Sequence, residues 1–177
     1  MAGVLYRFHH GTHRGAACAR DKARRGATAV EMALIAPAFF LLLMGTTEMC
    51  LIEGAQQLLE NATYNASRTG STGYIANAET QTQTVTQILD NELEGFGNVF
   101  NTASVTMTAT AYNNFTNAAN QSGGSTGLGN PQQVVVYTVT YPWKLFTPLM
   151  GQMIGQYVNG NWVFNLTSQI VVRNEPY

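Results

Sequence analysis

Residues 24–47 read Arg24-Arg25-Gly26-Ala27-Thr28-Ala29-Val30-Glu31-Met32-Ala33-Leu34-Ile35-Ala36-Pro37-Ala38-Phe39-Phe40-Leu41-Leu42-Leu43-Met44-Gly45-Thr46-Thr47, a basic pair and then an apolar run broken by one carboxylate. The next charge is Glu48. A bilayer core needs about 20 apolar residues in a helix. Ala27 to Ile52 is therefore long enough for one membrane crossing, with Glu31 and Glu48 near its two interfaces, and too short for two. Ahead of it stand Arg7, Arg14, Arg20, Lys22, Arg24 and Arg25 against Asp21 alone, whereas three basic residues face nine acidic ones after Gly26. By the positive-inside rule the N-terminus is expected in the cytoplasm and the C-terminal part on the other side.

The junction between the basic and apolar stretches reads as a processing site. A cut between Gly26 and Ala27 makes Ala27 the new N-terminus and Glu31 the fifth residue of the mature chain. Glu31 then lies about 6 Å along the helix from Ala27, and a carboxylate at that depth in lipid is costly unless paired. The freed α-amine of one copy can neutralise Glu31 of a staggered neighbour, so charge pairing would set the register of assembly. A plainer role is open to the same residue: complementing the positive end of the helix dipole and snorkelling to the headgroups. For the whole segment the rival is an uncleaved signal anchor. A secretory signal peptide would need a small-residue cleavage site after the apolar run, where Thr47-Glu48-Met49-Cys50 stands instead.

These residues resemble the TadE-like minor pseudopilins of the tight adherence, or Flp, pilus system. The resemblance rests on Arg24-Arg25-Gly26, Ala29-Val30-Glu31, Ala33-Leu34 and Pro37, on the Gly45-Thr46-Thr47-Glu48 exit, and on the terminal Arg173-Asn174-Glu175-Pro176-Tyr177. Position 32 is Met where the family more often has an aromatic. The family's frequent cysteine pair is reduced here to Cys50, so no intrachain disulfide is expected after cleavage. The resemblance implies a pilin-like α+β fold and processing by a prepilin peptidase. It also implies a role in assembling an adhesive pilus beside a major Flp pilin, TadF- or TadG-like siblings, a secretion ATPase, an inner-membrane platform and an outer-membrane secretin.

Beyond Glu48, Leu51, Ile52, Ala55, Leu58, Leu59, Ala62 and Ala66 recur at helical steps, which predicts an amphipathic extension of the membrane helix over 53–69. Pro37 lies inside the membrane part, where the freed carbonyl is tolerated and a kink is expected. The helix is expected to stop at Thr69-Gly70 with a left-handed cap at Gly70. Val85, Ile88, Leu89, Leu93 and Phe96 predict a second, shorter helix over 80–96. Period-two alternation over 103–112, 134–141 and 162–172 predicts three antiparallel strands. In the last of them Trp162, Phe164, Leu166 and Ile170 share the face expected to pack on the helices. Residues 113–132 read as a mobile loop, either a binding tip or a plain linker. Residues 141–150 are unusually apolar for a connection, suited to a membrane surface, a partner pilin or a satellite core patch. The organisation is thus a basic leader over 1–26, a membrane helix over 27–52, its extension over 53–69 and an α+β head over 70–177.

The three histidines, His9, His10 and His13, all precede Gly26, so the mature chain has no imidazole for a catalytic or zinc-binding set. No Gly-Lys-Ser phosphate loop is present. Asp90, Glu92 and Glu94 lack a recognised ligand spacing and read as a solvated helix end. No enzyme activity, cofactor or metal is expected. The basic leader is explained by its place before a membrane segment, so lipid is the expected partner and nucleic acid is not.

Overall fold

The computed structural model describes residues 13–76, 79–97 and 99–177, with side chains from Gly26 onward except Ala27. The leader's first twelve residues and its basic side chains lie outside that description. Helix α1 (His13–Ser71) runs without interruption through the Gly26–Ala27 junction and through Pro37. The chain divides into two compact units, Met1–Met44 and Gly45–Tyr177.

In the first unit the apolar side chains face outward: Val30, Leu34, Ile35, Phe39, Phe40 and Leu42 are all exposed. Within Thr28–Ser71, none of the apolar stretch long enough to cross a membrane is buried. A core helix of a water-soluble protein would hide that surface. Among the described residues this is the one helix of membrane-spanning length and apolar character, consistent with a single-pass anchor.

The second unit is an α+β head. The outer part of α1 buries Ile52, Ala55, Leu59, Ala62 and Ala66, the stripe expected from the three- and four-residue spacing. Thr63 lies on the same buried face and donates its hydroxyl to the Leu59 carbonyl at 2.7 Å, so the helix satisfies it internally. Helix α2 (Gln81–Gly95) opens with a capping box in which the Thr80 side chain accepts from Gln83 N–H and the Gln83 side chain accepts from Thr80 N–H. Val85, Leu89 and Leu93 form its buried face.

Both helices cover one face of a five-stranded sheet in the order β2-β1-β3-β5-β4, antiparallel throughout. The strands are β1 (Thr106–Tyr112), β2 (Ser125–Thr126), β3 (Val134–Lys144), β4 (Gln156–Val158) and β5 (Asn161–Arg173). Val135, Tyr137, Val139 and Tyr141 of β3 point to the helices. Register puts Ala109 and Ile170 beside Tyr137, and Leu166 beside Tyr141. The three long strands are those expected from the alternation. The two short ones at the sheet's edges escaped it, being too short to show a period. Residues 102–104 form a 3-10 turn rather than the start of β1. Helices α3 (Phe115–Ala119) and α4 (Pro148–Ile154) fill the connections that follow β1 and β3.

Two expectations need correction. The left-handed residue at the end of α1 is Gly73, at φ +70°, and Gly70 remains inside the helix. Gly70 is small for a different reason: a Cβ there would overlap the Tyr137 hydroxyl and stand 3.2 Å from Val85 Cγ2. Residues 113–132, read as a mobile loop, instead contain α3 and β2 and bury Leu128 in the core.

The close approach at Gly70 gives a double-mutant test. The Tyr137 hydroxyl is buried and has no hydrogen-bond partner among the described residues. Burial, with Tyr177's charge adding to it, pushes its pKa up. Gly70→Ala should cost about 2 kcal/mol by overpacking, and Tyr137→Phe alone should be near neutral because it deletes an unsatisfied group. Combined, the phenylalanine should recover about half of the alanine's cost, since the ring carbon 3.1 Å from the new methyl stays in place. Thermal unfolding of the four proteins reads this out, and strict additivity would refute it.

Candidate functional site

The residues singled out from the sequence, Gly26, Ala27, Glu31 and Pro37, are strung along α1 in the first unit. Gly26 is exposed, and nothing lies within 4 Å of where its Cβ would be. Packing among the described residues therefore does not require a glycine there. What Gly26 does is weaken the helix locally, by about 1 kcal/mol relative to alanine, which lowers the cost of opening the backbone at the bond it shares with Ala27. Glu31 is exposed on the same helix. Pro37, also exposed, removes one helix N–H without ending α1.

The second unit holds a carboxylate whose role the sequence did not disclose. Glu48 is only 2% exposed. It accepts hydrogen bonds from the N–H groups of Phe146 and Thr147 and from the Thr147 hydroxyl. Thr147 precedes α4, with Pro148 at that helix's start, yet its side chain makes no cap bond to its own helix. Its hydroxyl is turned to Glu48 instead. Glu48 thus does from a distant part of the chain what an N-cap side chain normally does. Gly45, one helical turn earlier, leaves a Cβ position 3.7 Å from Met150 Sδ of α4. The Gly45-x-x-Glu48 pair is therefore one helix face fitted to α4. Its i, i+3 spacing opposite a Thr-Pro helix start was the available signal.

The terminal motif also has a structural task. The buried Asn174 donates through Nδ2 to the carbonyls of Leu128 at 2.8 Å and Asn130 at 3.0 Å. Arg173 Nε reaches the Gln132 carbonyl at 3.2 Å. Glu175 N–H bonds the Ser71 carbonyl at 2.9 Å, and the Tyr177 ring lies against Gly73, where a Cβ would clash with it. Arg173, Asn174, Glu175 and Tyr177 together tie the end of α1 to the 113–132 connection.

Nothing comparable gathers around the acidic cluster. Asp90, Glu92 and Glu94 lie in the last turns of α2, and burial followed by repulsion from Glu94 holds the Asp90 carboxyl above its usual range. No group of three His, Cys, Asp or Glu side chains able to hold a metal occurs among the described residues. Cys50 is free and exposed.

Searches of curated proteins and of solved structures returned no match to the chain. A family model did: residues 26–68 match the family described as TadE-like protein. That segment starts at the junction glycine, takes in Glu31, Pro37 and Glu48, and ends just past the buried stripe of α1, so over this quarter of its length the chain is similar to TadE-like proteins.

Proposed function

We propose that the chain is a noncatalytic, pilin-like subunit, cut between Gly26 and Ala27 by a prepilin peptidase and used in building an Flp-type adhesive pilus. The observation that carries this reading is where the family match begins, at Gly26, the residue that a cut would leave at the end of the leader. Lipid exposure of α1 from Thr28 to Thr47 is about 30 Å of helix, the thickness of a bilayer core. In that arrangement the basic leader faces the cytoplasm and the head lies across the inner membrane. Partners of this subunit are the major Flp pilin, TadF- or TadG-like siblings and the inner-membrane assembly platform, while a separate ATPase supplies the energy.

A second reading, an uncleaved single-pass anchor displaying the head, is favoured by one observation: α1 passes through Gly26 unbroken. The N-terminal sequence and intact mass of the membrane-extracted protein, made with and without a cognate prepilin peptidase, separate the two. A start at Ala27 that depends on the peptidase is expected. A chain that keeps Met1 beside an active peptidase would establish the anchor instead.

A further inference from the structure

The end of the head next to Gly45 is apolar on its outside. Helix α4 turns its glycine inward: a Cβ on Gly151 would strike the Trp162 ring. Leu149 and Met153 of the same helix turn outward and are exposed, and Phe146 just before it is 71% exposed. Ile154, Tyr157 and Val158 extend the same exposed surface into β4. In a head that only met water the inward and outward sides of such a helix would be exchanged.

Three observations say what covers this surface. The first is chain continuity: Glu48, which binds Phe146 and Thr147, is the first charged residue after the apolar run. The patch is therefore tied to the point where α1 leaves any membrane it crosses. The second is charge: no charged residue occurs between Lys144 and Arg173, so bringing the region into the headgroup layer strips water from no ion. The third is the aromatic set at its margin, Tyr157 against Trp162 with ring centroids 5.1 Å apart, beside Lys144, whose long side chain can keep its ammonium in water.

We propose that Phe146, Leu149, Met153, Ile154, Tyr157 and Val158 form a lipid-facing foot that rests in the membrane interface around the base of α1. Short amphipathic elements lie in that layer with their apolar side sunk into the headgroup and acyl boundary. Glu48 holds the foot to the part of α1 that belongs to the head. The proposal rests on the anchor reading of α1 and not on its cleavage.

Nitroxide labels in the full-length protein test it, placed one at a time at Met153, at Leu41 and at Ser122 in a background with Cys18 and Cys50 replaced by serine. Leu41 belongs to the apolar run, and Ser122 to the connection at the opposite end of β3. In vesicles of phosphatidylethanolamine and phosphatidylglycerol at low protein density, collision with oxygen and with a water-soluble nickel chelate is measured for each label. The Met153 label should favour oxygen and meet nickel severalfold less than the Ser122 label. Equal nickel access at Met153 and Ser122, with Leu41 still shielded, would overturn the foot and leave the anchor intact. Loss of shielding at Leu41 as well would overturn both. Shielding of Met153 that appears only at high protein density, with dipolar broadening between labels, would mean a second copy covers the surface and would also overturn the proposal.

Discussion

Replacing Glu48 with alanine is expected to destabilise the head by about 2–4 kcal/mol, the largest stability effect of any single polar substitution in this chain. The change strands the donors that converge on the carboxylate: the Phe146 and Thr147 N–H groups and the Thr147 hydroxyl. Each buried donor left without an acceptor costs about 1–3 kcal/mol, and water reaching the partly exposed Phe146 end recovers some of that. Glu48→Gln should cost roughly half as much, because one amide oxygen still accepts while the NH₂ group opposes the remaining donors. Thr147→Val removes a single donor and should cost about 1 kcal/mol. Thermal unfolding of the detergent-solubilised full chain gives the ranking. Limited proteolysis should cut first within 145–158, the segment that loses its tether. An alanine variant within 0.5 kcal/mol of the parent, on the scale of an ordinary surface change, would show that the carboxylate is dispensable.

The Glu48 clamp marks the boundary of what the sequence disclosed. Periodicity needs length, and long elements were legible for that reason. The stripe from Ile52 to Ala66, the face of α2 and the three long strands all repeat often enough to show their period. Strand β4 is three residues long and has no period to show. Its signal was chemical: Asn159 at φ 48° and Gly160 at φ 83° make the two-residue turn that joins it to β5, and an Asn-Gly pair is a strong short-range hairpin sign. Gly70 and Gly73 show a second limit. Both can end a helix, and only the packing of Tyr137 against one and the positive φ of the other assign their roles. Glu48 shows a third, since a charge near a membrane reads as interfacial unless the donors that bury it are known. Those donors lie about a hundred residues away in the chain, beyond the reach of any local pattern. The junction is the converse case. Gly26, Glu31 and their spacing form a local pattern, while the step proposed for them involves other molecules.

Glu31→Ala is expected to leave the protein in the membrane and to reduce its recovery in sheared surface filaments by about tenfold or more, the equivalent of 1.4 kcal/mol or more per subunit contact. The two halves of this result have opposite causes. Insertion becomes easier, because an acidic residue costs about 2.5–3.5 kcal/mol at the centre of a membrane helix and less near its end, where Glu31 lies, and alanine removes that cost. On the charge-pairing proposal assembly becomes harder, because the α-amine of a neighbouring Ala27 would lose the one charge within the apolar run that could neutralise it. In a low-dielectric layer an unpaired ammonium is as costly as an unpaired carboxylate, so the register that buried both is no longer favoured over others. Glu31→Gln should fail nearly as fully as alanine, since it keeps size and hydrogen bonding but not charge. A dipole-complementing or snorkelling role would spare more of its assembly, because Gln retains a polar group. Sequencing the variants' N-termini is part of the experiment: a start at Ala27 assigns the defect to assembly, and a start at Met1 assigns it to the peptidase. Normal filaments from a cleaved Glu31→Ala protein would remove charge pairing from the mechanism.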